Sequence, residues 1–307
     1  MEEFLRSELG IEDLKCLGKG GSGCISEGMT YQTDKGEKLF IKFNNKPGAR
    51  TMFDGEYRSL ECLYAADIVH VPKPIKVIDL PEGGSALAMQ HIQINGLSSQ
   101  AGKLGELMAR LHLQNSEIIE KSKKSENFVG KAEKLTPVTQ FGFDIDTCCG
   151  FLPQNNTWQS SWPVFYAQKL KQQFDLVEKD SGDKEARELW SKLQLKLPPF
   201  FEMLDNVQPA LLHGDLWGGN VGQDDDGPVI FDPASFYGHS EFDLAIAKMF
   251  GGFSTAFFEH YHKVIPRAAG FRKRSDLYKL FHYLNHWNHF GGSYRDSSLS
   301  TLHRLLK

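Results

Sequence analysis

Residues 211–221 read LLHGDLWGGNV, and this stretch says more about the architecture of the 307-residue chain than any other. It places Asp215 five residues before Asn220, with His213 just ahead of both. Phosphoryl transfer needs a carboxylate that accepts the proton of the attacking hydroxyl, and an amide oxygen that holds a metal ion on the phosphates. The D-x-x-x-x-N spacing meets both needs. We therefore predict Asp215 as the catalytic base and Asn220 as a metal ligand.

The next segment, GQDDDGPVIFDPAS at 222–235, is typical of a β-hairpin that ends on a second carboxylate. Its acidic run, 224–227, is interpreted as a solvated turn, and its second strand delivers Asp232. In kinases an Asp at this place chelates the Mg²⁺ that bridges the phosphates, and Asp-Pro-Ala stands here where kinases have Asp-Phe-Gly. A single Asp more often caps a turn, but the loop, the hairpin and a third ligand at compatible intervals favour a metal ligand at Asp232.

A glycine-rich segment near the N-terminus predicts a phosphate-binding flap. Gly18, Gly20 and Gly23 satisfy G-x-G-x-x-G, and Gly21 and Ser22 complete the run. The strand-like CISEGMTYQT that follows disfavours a dinucleotide-binding fold, which needs a helix there, and no Gly-Lys-Ser/Thr ending marks a P-loop. Backbone N–H groups without side chains can approach an anion closely. An ordinary hairpin turn is the alternative.

Two further features predict the rest of a nucleotide site. Lys42 follows three apolar residues in the strand-like KLFIKFN, so we expect its side chain to project toward a cleft. Glu56 lies on a predicted helix and would pair with Lys42 to hold the ammonium on the α- and β-phosphates, with Glu61 as the fallback. Met89, Gln90 and His91 stand at the junction where a kinase offers backbone groups to adenine; an ordinary last strand is the alternative.

The rhythm of apolar residues changes near residue 92. Before it, short β-like stretches surround one helix predicted at 49–66. After it the helical period dominates, and returns near 162–205 and 241–290. The charge-rich segment 114–135 is interpreted as a solvated connection. We predict an α+β chain with two unequal lobes, 1–92 for the nucleotide and 93–307 for catalysis and the acceptor.

Composition excludes several classes of function. Lys and Arg total 35 against 39 Asp and Glu, for a net charge of −4, which argues against nucleic-acid or membrane-surface partners. No apolar run suits a signal peptide or a membrane span. The 5 cysteines are an odd number without C-x-x-C spacing, so we expect reduced thiols and a cytoplasmic protein.

HGDLWGGN and FDPASFYGHSEFDLAIAKMFGG resemble the fructosamine kinase family, and so do CISEG, PKPIKVIDLP, LSSQAGKLGE, TCCGFLPQ and YLNHWNHFG. The resemblance extends over nearly the whole chain. It implies a two-lobed, protein-kinase-like fold, with ATP and Mg²⁺. It also implies that the acceptor is the 3-hydroxyl of a ketoamine sugar on an amine, often a protein lysine, and that the unstable 3-phosphate leads to deglycation. The motifs lean toward ribulosamines and psicosamines, with fructosamines as the alternative.

The same resemblance assigns roles to matching positions. It makes Asp215 the proton acceptor, Asn220 and Asp232 the metal ligands, and Lys42 with Glu56 the ion pair. It places the adenine edge at 89–91.

The acceptor side is less sharply marked. Trp217, two residues after the proposed base, could offer a flat surface to the sugar or simply fill the core. His286 and His289 are three residues apart on a predicted helix; a metal pair, core histidines, and a hydrogen bond from His286 to the sugar are all possible interpretations. Glu241 and Asp243 open another helix and could brace the catalytic loop or serve the helix alone.

Cys24 directly follows the glycines. Nearby N–H donors would stabilise its thiolate, so it is a candidate redox-sensitive thiol, and the chain is expected to be a monomer or a redox-linked homodimer. Cys148 and Cys149 are predicted to be core residues. Two alternatives to a ketoamine kinase remain open: a kinase for choline or an aminoglycoside, and a non-catalytic, nucleotide-binding redox sensor.

Overall fold

The computed structural model describes residues 1–22, 26–125, 136–204 and 206–307. The N-terminal part is an antiparallel sheet with two helices. In chain order it comprises α1 (Glu2–Leu9), β1 (Leu14–Ser22), β2 (Glu27–Thr33), β3 (Lys38–Asn44), α2 (Ala49–Ala66), β4 (Pro74–Asp79) and β5 (Ser85–Gln90). The strands lie in the order β1-β2-β3-β5-β4, and each neighbouring pair is antiparallel.

Strand β3 has two different faces. Because side chains alternate along a strand, Leu39 and Ile41 point to one face, where they join a core cluster with Leu5 of α1. Phe40 and Lys42 point to the opposite face, toward α2. Burying an aliphatic side chain such as Ile41 stabilises the fold by about 2 kcal/mol, and a one-residue slip would reverse both faces. The apolar pattern therefore fixes the side on which Lys42 emerges.

Helix α2 covers the second face of the sheet, and its predicted span of 49–66 is confirmed. Of its apolar residues at helical spacing, Phe53, Leu60 and Leu63 are fully buried, whereas Tyr64 is 46% exposed. Helix α1, by contrast, has no counterpart in the sequence-based prediction. It is short and charged, and it buries a single residue, Leu5.

The C-terminal part is mainly helical. It comprises β6 (Asn95–Gly96), α3 (Ala101–Ser125), β7 (Thr147–Cys149), β8 (Leu152–Gln154), α4 (Trp162–Ser181), α5 (Lys184–Leu193), β9 (Ala210–Leu211), β10 (Val221–Gln223), β11 (Pro228–Ile230), β12 (Tyr237–Gly238), α6 (Glu241–Ala247), α7 (Thr255–Val264), α8 (Phe271–Phe290) and α9 (Arg295–Leu306), with short 3₁₀ turns. Small sheets join β11-β10-β6, β12-β9 and β7-β8. Among the described helices, none is long and apolar enough to cross a membrane.

The interpretation of 114–135 as a solvated connection is wrong for its first half. Helix α3 continues to Ser125, and Leu111, Asn115 and Ile119 form a buried stripe along it. The Asn115 amide also donates to the carbonyl of Pro209, at 2.6 Å. The many charged residues of this segment made its pattern of one buried residue per helical turn hard to detect in the sequence. Residues 126–135 lie outside the described part of the chain.

Two features of the C-terminal part position the site. Trp162 of α4, Phe242 of α6 and Tyr278 of α8 are buried together, with the Trp162 indole N–H donating to the Tyr278 hydroxyl at 2.9 Å. This core fixes α6. The β10–β11 hairpin is tied to the sheet region because the Ile230 N–H donates to the carbonyl of His70, at 3.0 Å. The residues that follow β11 therefore enter the cleft beneath β3.

Candidate active site

Lys42 is the point where the two parts of the chain meet. Its Nζ lies 2.6 Å from Oε1 of Glu56 on α2 and 2.5 Å from Oδ1 of Asp232, which follows β11. Burial alone would lower the pKa of this ammonium, but Asp232 and Glu56 outweigh it and raise the pKa. Glu61, the fallback partner, pairs instead with Arg58 at 2.7 Å. The structure thus joins three of the predicted residues in one charged cluster.

The loop that carries Asp215 is closed by its own hydrogen bonds. The Asn220 amide donates to the Asp215 carbonyl at 2.9 Å and to its Oδ2 at 3.1 Å. The backbone N–H of Trp217 also donates to the Asp215 carbonyl, at 3.0 Å. Burial raises the pKa of Asp215 to about 7; the Asn220 amide acts against this shift, and the Asp232 carboxylate adds to it. The carboxyl is therefore set to exchange a proton near neutral pH.

Asp243 holds this loop from below. Its Oδ2 accepts the N–H of His213 at 2.8 Å, and its Oδ1 accepts the N–H of Gly214 at 2.9 Å. His112, which sequence reasoning missed, places its Nε2 3.2 Å from the same carboxylate. Of the two acids that open α6, Asp243 therefore braces the loop. Glu241 instead pairs with the buried Arg274, at 2.7 Å.

His213 is fixed as a neutral ring by what surrounds it. Its Nε2 lies 3.0 Å from the carbonyl of Phe231, so Nε2 carries the hydrogen. Its Nδ1 then accepts the N–H of Asp215, at 3.2 Å. Burial lowers the pKa of His213, consistent with this neutral form. The ring links the loop that carries Asp215 to the segment after β11.

Gly214 and Asp232 show where that link constrains the backbone. Gly214 has φ +84°, and a Cβ there would lie 2.0 Å from the carbonyl oxygen of Ala234. Asp232 has φ 55°, a left-handed conformation that non-glycine residues seldom adopt. Such strain is held in place by surrounding contacts; here the Ala234 N–H donates to the His213 carbonyl at 2.9 Å. The carboxyl of Asp232 is thereby directed to Lys42.

The residues proposed for a metal ion suit Mg²⁺. Asp232 offers a carboxylate. The side-chain nitrogen of Asn220 donates a hydrogen bond to Asp215, so the amide oxygen of Asn220 is the atom that can bind a metal ion. Mg²⁺ takes oxygen ligands, and usually one or two protein groups with phosphate and water for the remainder. Within the described residues no cluster of three or more His, Cys, Asp or Glu could hold a metal ion by itself. A two-ligand oxygen set of this kind fits a metal that arrives with a phosphate.

The glycine-rich segment forms the end of β1, paired with β2. Gly18 has φ +121°, and Gly21 and Ser22 pair with Gly28 and Glu27. A Cβ on Gly20 would lie 2.3 Å from Oγ1 of Thr30, so this position requires glycine for close packing. Gly23 and Cys24 lie outside the described residues.

The proposed adenine edge lies at the end of β5. Met89 is buried, whereas Gln90 is exposed. The N–H of Gln90 donates to the carbonyl of Lys73 at 2.9 Å, and that of His91 to the carbonyl of Lys38 at 3.2 Å. Because both backbone N–H groups are engaged, the backbone of Gln90 and His91 could contact adenine only by accepting hydrogen bonds at the carbonyl oxygens.

Aromatic rings line the region predicted to bind the acceptor. Trp217 is 37% exposed, and its ring meets Phe250 at 6.3 Å between centroids. Phe250 in turn lies 4.8 Å from His286. The Nδ1 of His286 lies 2.8 Å from the carbonyl of His282, so Nδ1 carries the hydrogen and Nε2 is an acceptor. Phe250 was not predicted, since nothing in its local sequence marks it.

His286 and His289 do not form a metal pair. The Nδ1 of His289 donates to the carbonyl of Asn285 at 2.7 Å, and its Nε2 accepts the N–H of Phe151 at 3.1 Å. Both nitrogens are therefore used within the protein.

Cys149 and Lys169, neither predicted for the site, are both buried. The Cys149 thiol acts against the raised pKa of the Asp215 carboxyl, and the Asn285 amide lies 3.3 Å from the Cys149 sulfur. Lys169 is buried, with its ammonium 2.9 Å from both Gln154 Oε1 and Asn156 Oδ1. Burial lowers the pKa of Lys169 to about 7. The predicted burial of Cys149 is confirmed, and Cys148 is half-buried.

Comparison with solved structures defines the class of protein. A candidate fructosamine-3-kinase from Thermobifida fusca matches with a TM-score of 0.80 at 27% identity, covering 100% of this chain and 98% of that one. The aminoglycoside phosphotransferase APH(4)-Ia matches with a TM-score of 0.60 at 14% identity, covering 99% and 97%. The predicted α+β, kinase-like fold is confirmed, and the chain has the fold of a small-molecule phosphotransferase.

The family follows from sequence. The fructosamine kinase family model matches residues 5–307. Ketosamine-3-kinase of Mus musculus is 56% identical over 311 residues, with 100% of both chains covered. The chloroplastic protein-ribulosamine 3-kinase of Arabidopsis thaliana is 38% identical, with 100% of this chain and 87% of the relative covered. The chain belongs to the fructosamine kinase family, and the resemblance predicted from its motifs is confirmed.

Proposed function

We propose that this protein transfers the γ-phosphate of ATP to the 3-hydroxyl of ketoamine sugars on amines, with ribulosamines and psicosamines as preferred acceptors. The observation that carries the proposal is the convergence of Lys42, Glu56 and Asp232 in one cluster beside the Asp215 loop. The names of the two relatives support the acceptor class. The lobes proposed for the two substrates are residues 1–92 and 93–307.

On the nucleotide side, the Lys42 ammonium would bind the α- and β-phosphates while Glu56 fixes its position. The backbone of Gly18, Gly20, Gly21, Ser22 and Gly23 would cover the phosphates, and carbonyls near Met89, Gln90 and His91 would meet adenine. Asp232 and Asn220 would hold Mg²⁺, which when bound neutralises charge on the phosphate oxygens.

On the acceptor side, Asp215 would accept the proton of the 3-hydroxyl as that oxygen attacks phosphorus. A pKa of about 7 suits this role, because the carboxylate is present at neutral pH yet basic enough to take a proton. Trp217 would lie against the sugar, and the Nε2 of His286 would accept a hydrogen bond from a hydroxyl or from the secondary ammonium. Asp243 positions the loop without contacting the substrate.

The wider proposal covers the fate of the product and the setting of the enzyme. Glycated protein lysines would be substrates, and breakdown of the 3-phosphate would free the amine, which is deglycation. The near-balanced charge supports a cytoplasmic enzyme without nucleic-acid or membrane partners. Cys24 would link two subunits under oxidant. Non-reducing gels of Cys24→Ala against the parent protein test that link, and an undiminished dimer band in the variant would contradict it.

The decisive assay offers ATP and Mg²⁺ with ribulose-lysine, psicose-lysine, fructose-lysine, choline or an aminoglycoside, and locates the phosphate in each product by ³¹P NMR. We expect phosphate on the 3-oxygen of the ketoamines, with ribulose-lysine and psicose-lysine the better acceptors. Transfer to choline or the aminoglycoside alone would contradict the acceptor class. Nucleotide binding without transfer to any acceptor would favour a non-catalytic protein.

A further inference from the structure

A continuous aromatic surface extends from the catalytic loop to the end of α8. Beyond Trp217, Phe250 and His286, the next ring is Phe290, 5.7 Å from His286 between centroids. We call this the aromatic surface; it comprises Phe151, Trp217, Phe250, His286, His289 and Phe290.

The far end of this surface comes from a different part of the chain. Phe290 lies 5.8 Å from His289, and His289 lies 4.3 Å from Phe151 in the β7–β8 turn. The Phe151 N–H also donates to the His289 ring, at 3.1 Å. A backbone hydrogen bond thus fixes the turn to the helix, so the surface is built before any ligand arrives.

Exposure of rings is concentrated here. In the described ranges, five Phe, Trp and Tyr side chains are at least 37% exposed, and all but Tyr64 belong to the aromatic surface. Phe151 is 49% exposed and Phe290 is 58% exposed. Exposed apolar residues scattered singly need no explanation, but a contiguous patch beside a binding site indicates a partner.

The chemistry of the surface suits an amine with an apolar neighbourhood. Ring faces carry negative electrostatic potential and attract cations. Burial lowers the pKa of both His286 and His289, so these rings add no positive charge near neutral pH. A ketoamine carries a secondary ammonium next to its sugar. Trp217 and His286 suffice for that group, and Phe290 and Phe151 extend the surface beyond it.

We propose that the outer part of the aromatic surface docks the polypeptide around a glycated lysine, with apolar side chains next to that lysine against Phe290 and Phe151. The inference rests on the proposed function, because it assumes that the sugar lies beside Asp215. It adds a preference that the sugar site alone would not create: ketoamines on peptides with apolar flanks are better substrates than the same ketoamine on a free amino acid.

The test compares three acceptors: ribulose on the ε-amine of free Nα-acetyl-lysine, and ribulosyl-lysine in two short peptides, flanked by leucines in one and by serines in the other. For the parent protein we expect kcat/KM to be about tenfold higher for the leucine-flanked peptide than for either other acceptor. Phe290→Ser and Phe151→Ser should each reduce that ratio severalfold. Leu195→Ser is the matched control, since Leu195 is 81% exposed and lies outside the surface.

Two results would overturn the inference alone: a parent protein that phosphorylates all three acceptors equally well, or a peptide preference that survives in both phenylalanine variants. The two variants alter different segments, so a folding defect in one leaves the other informative. A parent protein that phosphorylates none of the three acceptors would instead contradict the proposed function, and the docking surface with it.

Discussion

The two sides of the cleft differ in the side chains that line them. The nucleotide side is a cluster of charges in which Lys42 lies 2.6 Å from Glu56 and 2.5 Å from Asp232. The acceptor side is a set of rings, Trp217, Phe250 and His286, that contributes no fixed charge near neutral pH. A triphosphate is a fixed, highly charged reagent, whereas an amine adduct is a cation of variable shape. The contrast teaches that a cluster of charges serves the proposed phosphate donor, whereas uncharged ring faces serve the proposed cationic acceptor.

The largest expected effect comes from breaking the charged side. Lys42→Met would leave Glu56 and Asp232 facing each other without a cation, so we expect phosphate transfer to fall about a thousandfold. Loss of one partner from a buried ion cluster also costs about 3 kcal/mol of unfolding free energy. Enzyme assays and urea denaturation measure the two effects. Lys38→Met is the matched control, at an exposed position on the same strand, and equal losses in both variants would contradict a specific role for Lys42.

The second prediction concerns Asp243, which supports the loop that carries Asp215. Asp243→Asn would turn an NH₂ group toward one of the two N–H donors of His213 and Gly214. We expect kcat to fall about a hundredfold, with the KM for ATP nearly unchanged, because the loop that carries Asp215 would lose its position. Steady-state kinetics separates the two parameters. The control is Asp296→Asn, whose side chain is 95% exposed, and a rise in KM at constant kcat would contradict a positioning role.

Acidity should act on both sides of the site, because burial raises the pKa of Glu56 to about 7; on the acceptor side it acts through Asp215. With the pKa of Asp215 raised by burial to about 7, the carboxylate that accepts the proton disappears as the pH falls below that value. We expect kcat to decrease about tenfold for each pH unit below it and to level off above it. Asp225→Asn, in the exposed hairpin turn, should retain this profile. A parent profile that stays flat well below neutral pH would show that Asp215 does not limit the reaction.

The same shift has a consequence for stability. A raised folded-state pKa means that the folded protein holds this proton more tightly than the unfolded chain. The stabilising contribution is therefore complete below the unfolded-state pKa and is lost as the pH rises through about 7. Asp215→Asn removes this loss, so above neutral pH we expect the variant to be about 1 kcal/mol more stable than the parent. Denaturation of the parent and the variant, at one pH below and one pH above neutral, measures the difference between their unfolding free energies. The same difference at both pH values would contradict the shift.

Gly214→Ala tests the backbone of the same loop, and its expected effect is purely structural. Gly214→Ala places a Cβ 2.0 Å from the Ala234 oxygen at φ +84°, and we expect a loss of about 3 kcal/mol in unfolding free energy. Gly83→Ala is the control, with φ +93° and open space around it. It should cost about 1 kcal/mol. Similar losses in both would show that the loop relaxes around the added methyl group.

The nucleotide side was the more predictable of the two, for a physical reason. Asn220 and Asp232 lie within one loop and one hairpin, so their spacing along the chain already implies proximity. Lys42 and Glu56 follow from strand and helix periodicity. The acceptor side instead joins the β7–β8 turn, the segment after α6 and the end of α8, which only tertiary packing brings together.

The same reasoning explains the errors and omissions. His112 reaches Asp243 from helix α3, far away in sequence, and no local pattern marks that contact. The buried continuation of this helix at Asn115 and Ile119 was missed because its surroundings are charged. Trp217 and His286 were predicted as acceptor residues, but Phe250, which joins them, was not.

The central claim is that the Asp215 carboxylate accepts the proton of a ketoamine hydroxyl during phosphate transfer. The most direct test is the single-turnover rate of transfer from ATP to ribulose-lysine, for the parent protein and for Asp215→Asn, at about pH 8 where the carboxylate is ionised. We predict a decrease of about a thousandfold in rate, with the affinity for a non-hydrolysable ATP analogue essentially unchanged. Transfer by Asp215→Asn at the parent rate would contradict the claim.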